Sequence, residues 1–249
     1  MNILYMGSPS YATYPLEALL ESSTNQVVGV VSQPAKGVGR SRQRKDPPVA
    51  AFAKEKGLVV LQPESSRASD FLEQVKALQP DVIVTCAYGQ ILSDRFLSIA
   101  KRATINIHPS KLPAYRGATP VQSSLLAGDK KTAISILFTV SELDAGNLIL
   151  QEEVAIPSGA VALDLLHFLF KKSAPLLLQS LDKLKNLSFT GERQDETQVT
   201  HCKKIRKEDG FIDWQLNSVT IYQKYQAFYP WPGLYTYFKG KRIKLLSLQ

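Results

Sequence analysis

Cysteine is nearly absent, with two residues in 249, Cys86 and Cys202. Two thiols so far apart give no disulfide framework and no metal-ligand spacing, so the reading contains no metal and the cytoplasm is the natural compartment. No apolar run approaches the roughly 18 residues of a membrane span, which removes a transmembrane or membrane-bound reading. The first residues, Met1-Asn2-Ile3-Leu4-Tyr5-Met6-Gly7, carry neither a basic n-region nor a signal-like apolar stretch, and read as a strand. A G-x-G-x-x-G loop is missing after that strand, so Gly7 marks a tight turn and not a dinucleotide site. Also missing is a G-x-S-x-G serine, and no cysteine or lysine stands as a covalent nucleophile.

What is present is cationic and unevenly spread. The net charge is +8. Between Pro34 and Asp46 stand Lys36, Arg40, Arg42, Arg44 and Lys45 against Asp46 alone, a net of +4. Residues 201–249 hold nine Lys or Arg against three acids, a net of +6, which leaves the rest at −2. Two basic concentrations on a nearly neutral body suggest a polyanionic partner, although a solvated lysine-rich surface is as common for any one cluster. The first cluster lies among two glycines and three prolines, so residues 33–48 read as an exposed mobile loop, neither helical nor extended. Arginines there are suited to bidentate phosphate contacts.

Along the chain, apolar segments at 2–6, 27–32, 58–61, 81–87, 104–108 and 133–138 read as buried strands. Helical patterns at 14–21, 49–56, 70–78, 120–127 and 162–184 alternate with them. That alternation predicts an α/β fold, a Rossmann-like, mostly parallel sheet with flanking helices. Residues 147–155 alternate apolar and polar, as an edge or antiparallel strand would. His167 on the long helix reads as packing, and Cys86 as inert core. Past residue 195 the pattern changes to a basic stretch, a helix at 219–228 and a hairpin of 234–238 with 242–246. Length alone allows one large or two modest domains, and the change near residue 195 divides the chain into 1–195 and a smaller β-rich 196–249, too short to bury a core of its own.

The chemistry gathers at Asn106-Ile107-His108, where a β-branched run ends in a proline- and glycine-punctuated loop. Period-2 alternation sets Asn106 and His108 on one side of the strand. Asp144, in Leu143-Asp144-Ala145-Gly146, follows 36 residues after His108. An amide donor, an imidazole and an acid are the parts needed to move an acyl group between nitrogens. Asn106 and a protonated His108 would donate to a developing oxyanion, and Asp144 would accept the amine proton directly or through water. A satisfied polar cluster at a strand end is the other reading, and the pattern alone leaves both open. The turn Ala87-Tyr88-Gly89-Gln90-Ile91-Leu92 exposes main-chain groups suited to reading a flat heterocycle.

Asn106-x-His108, Pro109-Ser110-Lys111-Leu112-Pro113-Ala114-Tyr115-Arg116-Gly117 and Leu143-Asp144-x-Gly146 together resemble the folate-dependent formyltransferase superfamily, in the branch acting on methionyl-tRNA. Gly7-Ser8-Pro9, Ser32-Gln33-Pro34, Gly39-Arg40, Asp195-Glu196-Thr197, Ile212-Asp213-Trp214 and Trp231-Pro232 extend the likeness over nearly the whole chain. The resemblance implies 10-formyltetrahydrofolate as donor and the amino group of initiator methionyl-tRNA as acceptor; the protein is expected to be a monomer. It makes Asn106, His108 and Asp144 the catalytic triad. Ser110, Lys111, Leu112 and Pro113 become the folate-contacting segment, and Ala87 to Leu92 the turn for the pterin. It turns Lys36, Arg40, Arg42, Arg44 and Lys45 toward the tRNA acceptor stem, and 196–249 into part of an OB-like tRNA-binding region. Lys111 stands where that family usually has leucine, and Pro109 where this branch usually has glycine. Sugar-nucleotide N-formyltransferases share the triad and the donor and are the alternative; a non-catalytic RNA-binding relative is a further one.

Overall fold

The computed structural model describes residues 1–38 and 43–248. From the amino terminus its main elements are β1 (Asn2–Gly7), α1 (Thr13–Glu21), β2 (Gln26–Val31), β3 (Lys36–Val38), β4 (Gln43–Lys45), α2 (Pro48–Glu55), β5 (Val60–Leu61), α3 (Ser69–Ala77) and β6 (Val82–Cys86). There follow α4 (Asp94–Leu97), β7 (Ala103–His108), β8 (Arg116–Gly117), α5 (Pro120–Ala127), β9 (Lys131–Phe138), β10 (Leu148–Ala155) and α6 (Ala162–Lys183). The last are β11 (His201–Cys202), α7 (Ser218–Phe228), β12 (Tyr235–Phe238) and β13 (Lys241–Lys244). The chain divides into two compact units. The first gathers residues 1–108, 135–151 and 170–194, the second 109–134, 152–169 and 195–249.

In the first unit the apolar runs pair as their composition requires. The sheet order is β10-β9-β7-β6-β1-β2-β5. The pairs β1–β2, β1–β6, β2–β5 and β6–β7 are parallel, and β7–β9 is antiparallel. In β1, Ile3, Leu4, Tyr5 and Met6 are all fully buried, because a central parallel strand is covered on both faces. Leu4, Met6, Val31 and Ile83 pack with Phe71 and Leu72 of α3 and with Phe96 of α4. The chain order reverses between β1 and β6, and ligands bind at the carboxyl ends of strands flanking such a reversal in open α/β sheets. Residues 147–155 alternate because β10 is the edge strand.

One expectation fails in this unit. Residues 33–48 are not wholly irregular, since β3 and β4 form an antiparallel hairpin with Lys36 opposite Lys45 and Gly37 opposite Arg44. Glycines and prolines at its margins hide a pairing that needs only three residues on each side. Like charges set directly across a ladder oppose each other. The nearest acid in the chain does not relieve them, because Asp46 is taken by Lys54 at 2.6 Å and by Gln62 at 3.0 Å.

In the second unit, α5 begins at Pro120, whose missing N–H costs nothing in a first turn, and packs against α7. Residues 195–249 do not stand alone here, since β11 pairs in parallel with β8. The carboxyl-terminal hairpin has a turn one residue shorter than its composition suggests, two residues in place of three, because the second strand begins at Lys241. Phe238 pairs with Lys241 across a two-residue turn, Lys239-Gly240, with φ of 48° and 73°. Two positive φ angles in a two-residue loop match the right-handed twist of the flanking strands.

Arg116 is the largest fully buried side chain among the described residues, 1% exposed, and its guanidinium meets Glu196 through two hydrogen bonds of 2.8 and 3.2 Å. Gly117 beside it has φ 128°, and a Cβ there would lie 2.5 Å from the Cys202 carbonyl oxygen. The Arg-Gly pair is thus a fastener between residues 109–134 and the segment after 195. Arg116→Ala empties a large buried volume and takes the guanidinium away from Glu196, and is expected to lower stability by about 3 kcal/mol. Chemical denaturation checks this, and a loss under about 1 kcal/mol would refute the fastener.

Candidate active site

β7 brings Asn106 and His108 to one face of the sheet, as alternation demands. Thr85 of β6 is the register partner of Asn106. Its hydroxyl lies 2.9 Å from Asn106 Oδ1 and 3.1 Å from the Ile105 carbonyl oxygen. With its Oδ1 on the hydroxyl side, the amide turns Nδ2 toward Asp144, and Nδ2 donates to Asp144 Oδ1 at 3.2 Å. The other carboxylate oxygen, Oδ2, lies 3.6 Å from His108 Nδ1. The side chains of His108 and Asp144 are 4% and 7% exposed. An amide, an imidazole and a carboxylate are therefore brought together in one cluster sheltered from solvent.

Asp144 arrives by an unexpected route. β9 runs antiparallel to β7, so it ends with Phe138 opposite Ile105, and Thr139 N–H bonds the Thr104 carbonyl. The chain leaves near the start of β7 and must double back over the face carrying Asn106 and His108. Two backbone features permit this. Asp144 has φ 54°, a left-handed conformation that Asp tolerates better than most residues. Gly146 lies so close to Phe138 that a Cβ would sit 1.8 Å from its carbonyl oxygen. From the far side, Gln194 Nε2 donates to the carbonyls of Asp144 (2.8 Å) and Gly146 (2.7 Å).

The turn after β6 bends through Ala87 (φ 50°) and Gly89 (φ 91°). Several of its polar groups are already engaged. The Tyr88 carbonyl accepts from Gln33 Nε2 (3.1 Å) and Ser8 Oγ (3.3 Å), and the Ile91 carbonyl accepts from Ser66 Oγ. Gln90 Oε1 accepts from the Ser66 N–H. Ile91 itself is 73% exposed, while the Tyr88 ring is core, and burial pushes its hydroxyl up to about 12. The turn is thus fixed from behind and presents Ala87, Gly89 and Ile91 outward. Cys86 is fully buried, with its thiol likewise pushed up to about 12 by burial, which suits core and not nucleophile.

The segment Ser110 to Pro113 belongs to the second unit. Ser110 is buried and donates to the Ala114 carbonyl at 2.7 Å. Lys111, Leu112 and Pro113 line a cavity of about 520 Å³ with Tyr115, Asp129 and Lys131. Lys111 there meets Glu153 at 2.8 Å, and Lys131 meets the same carboxylate at 2.7 Å. Their hydrogen bonds hold the Glu153 carboxyl down at about 2.

Lys36, Arg44 and Lys45 are exposed on the β3–β4 hairpin; Arg40 and Arg42 fall outside the described residues. Part of the second basic concentration lines a broad groove of about 1190 Å³, where Lys203, Lys204, Arg206 and Lys224 stand with the acids Glu208 and Asp209 and with Phe211 and Phe228. Among the described residues no group of three His, Cys, Asp or Glu is placed to hold a metal ion, and no helix is long and apolar enough to cross a membrane.

Thr85 and Gln194 carry no local signal in the sequence. Thr85 is one hydroxyl in an apolar strand, and its meaning appears only when β6 is set in register with β7. Gln194 lies 50 residues from Asp144, with nothing local to mark it.

A Formyl transferase family model matches residues 1–168, and a Formyl transferase C-terminal domain model matches residues 204–249. The chain is 41% identical over 247 residues to the methionyl-tRNA formyltransferase of Chloroflexus aurantiacus, covering 99% of this chain and 79% of that protein. Among solved structures, it resembles a 4-N formyltransferase from Francisella tularensis, with a TM-score of 0.75, 19% identity and coverage of 98% and 96% of the two chains. It also resembles HypX from Aquifex aeolicus in complex with tetrahydrofolic acid, with a TM-score of 0.69, 16% identity and coverage of 98% and 37%. At these identities the two structures speak for the fold.

Proposed function

The chain belongs to the formyl transferase family, and on that premise we propose that it moves the formyl group of 10-formyltetrahydrofolate to the α-amino group of initiator methionyl-tRNA. It does so in the cytoplasm, as a monomer. Residues 1–195 carry the chemistry, and 196–249 contribute to holding tRNA. The observation that carries this reading is Asp144 in reach of both Asn106 and His108, in a site sheltered from water.

The amine nitrogen attacks the formyl carbon, and a C–N bond forms as the carbonyl electrons move to oxygen. An Asn106 N–H and a protonated His108 donate to that oxyanion. Asp144 takes the proton that the amine loses, directly or through one water. The oxyanion electrons then re-form the carbonyl as the bond to N10 of the folate breaks, N10 takes up the proton held by Asp144, directly or through water, and the formyl group stays on the methionyl nitrogen. Both carboxylate oxygens are engaged, Oδ1 by Asn106 and Oδ2 by the imidazole, so the acid has little freedom to swing away. Such fixed dipoles need no reorganisation at the moment of reaction. The outward face of Ala87 to Leu92 takes the pterin of the donor.

Lys36, Arg44 and Lys45 are crowded on one hairpin whose nearest acid in the chain, Asp46, is already taken by Lys54. They are suited to the acceptor-stem phosphates, with Arg40 and Arg42 beside them in the chain. Replacing both Arg44 and Lys45 by Ala is expected to weaken use of methionyl-tRNA and to make the log–log salt dependence of KM shallower, by roughly one unit of slope for each phosphate no longer neutralised. An unchanged slope would remove the hairpin from the tRNA surface. The direct test of the proposal offers formyl-folate with charged initiator tRNA and, separately, with an amino-sugar nucleotide. Product on the sugar alone would overturn the acceptor.

A further inference from the structure

The acid of the site stands on a loop closed at its base by the Phe138 N–H on the Asn147 carbonyl at 2.9 Å. Asp144 has φ 54°, and Gly146 approaches the Phe138 carbonyl as only a residue without a Cβ can, so the loop depends on backbone conformations that few residues adopt. A second segment, residues 189–194, lies along the outside of this loop. Glu192 and Leu148 exchange both backbone hydrogen bonds at 2.7 Å. Asn147 Nδ2 donates to the Thr190 carbonyl at 2.9 Å, and the ring of Phe189 meets that of Phe138 at 6.4 Å. Gly191 allows the approach, since it has φ 73° and a Cβ there would meet the Leu148 carbonyl oxygen at 2.5 Å.

That strap delivers Gln194, 4% exposed, to the two carbonyls that flank Ala145. The amide can stand only one way round, because Oε1 in place of Nε2 would face two carbonyl oxygens at hydrogen-bond distance. One nitrogen, with its two N–H groups, therefore draws the Asp144 and Gly146 carbonyls together and fixes the peptide between them. We propose that Gln194 is a positioning residue for formyl transfer, clamping the loop so that the Asp144 carboxylate stays against Asn106 and His108. The role rests on the formyl-transfer reading of that site. Both bonds of the clamp end on backbone oxygens, so Gln194 acts on the acid through loop geometry. A buried pair of carbonyls robbed of its donor favours the open loop.

Three variants separate clamp from filler. Gln194→Ala and the near-isosteric Gln194→Met should each lower kcat roughly 10- to 100-fold, since a displacement of about 1 Å is worth that much, with KM for both substrates within about threefold. Gln194→Glu should be as slow at pH 8 and recover relative to the parent protein as pH falls. A protonated carboxyl regains one O–H for one of the two carbonyls, while a carboxylate repels both. Wild-type kcat in Gln194→Met overturns the proposal, as does a Gln194→Glu profile parallel to that of the parent. If the parent protein itself transfers no formyl group, the functional reading has failed and hydrogen exchange decides the clamp. Faster exchange of amides 139–147 in Gln194→Met, with β1 and β6 still protected, upholds it; unchanged exchange refutes it.

Discussion

His108→Ala is expected to lower formyl transfer to methionyl-tRNA by on the order of 10³-fold while the protein stays folded. The imidazole is 4% exposed and its Nδ1 faces Asp144 at 3.6 Å, so no water can take its place with the same direction or charge. Its removal withdraws a donor from the oxyanion and takes the imidazole away from Asp144. The backbone has little reason to change, because the pairing of His108 with Ser135 is made by main-chain atoms. Steady-state rates, with near-UV and far-UV circular dichroism on the same samples, provide the check. Turnover within tenfold of the parent would sink the assignment of the site. Asn106→Ala should be nearly as damaging, and the double variant less than additive, since both donors serve one oxygen.

The second large effect is expected from a methyl group. Gly146→Ala would put a carbon 1.8 Å from the Phe138 carbonyl oxygen, far inside contact distance and against backbone that cannot rotate away. The loop must then move as a whole. A loss of about 3 kcal/mol in stability is expected, and activity should fall on the order of 10²-fold even at temperatures where the protein is folded. Thermal melts and rates measured below the transition distinguish the two losses. Normal activity at full occupancy of the fold would mean that Asp144 does not need this loop geometry.

Much of the fold is legible in the sequence, and all but one of the exceptions share a cause. β1 and β6 announce themselves because strands covered on both faces are predominantly apolar, β7 because its β-branched run ends in Asn106-x-His108, and α5 because proline at its first turn fixes where it starts. Asn106 and His108 are visible as a pair because alternation alone puts them on one side. Asp144 is visible as a residue, but its approach is not. Its side chain crosses the face of β7 only because β9 runs antiparallel, and strand direction is a property of pairing. Thr85 and Gln194 belong to the same class, since each matters through a partner fixed by register or by a distant strap. The β3–β4 hairpin escapes for the opposite reason, because its glycines, prolines and repelling cations mask two three-residue strands.

The buried guanidinium of Arg116 carries one more implication, which concerns time. Its carboxylate partner, Glu196, lies 80 residues further along the chain. At synthesis rates of roughly 5–20 residues per second, those residues take roughly 4–16 s to follow. For that interval the nascent segment 109–134 has neither its counter-ion nor the β11 edge that pairs with β8. The first unit is in the same position, because residues 170–194, the strap included, come late. The Asp144 loop therefore emerges from the ribosome before the side chain that fastens it. An acid that depends on Gln194 takes its place only when that distant strap has been made.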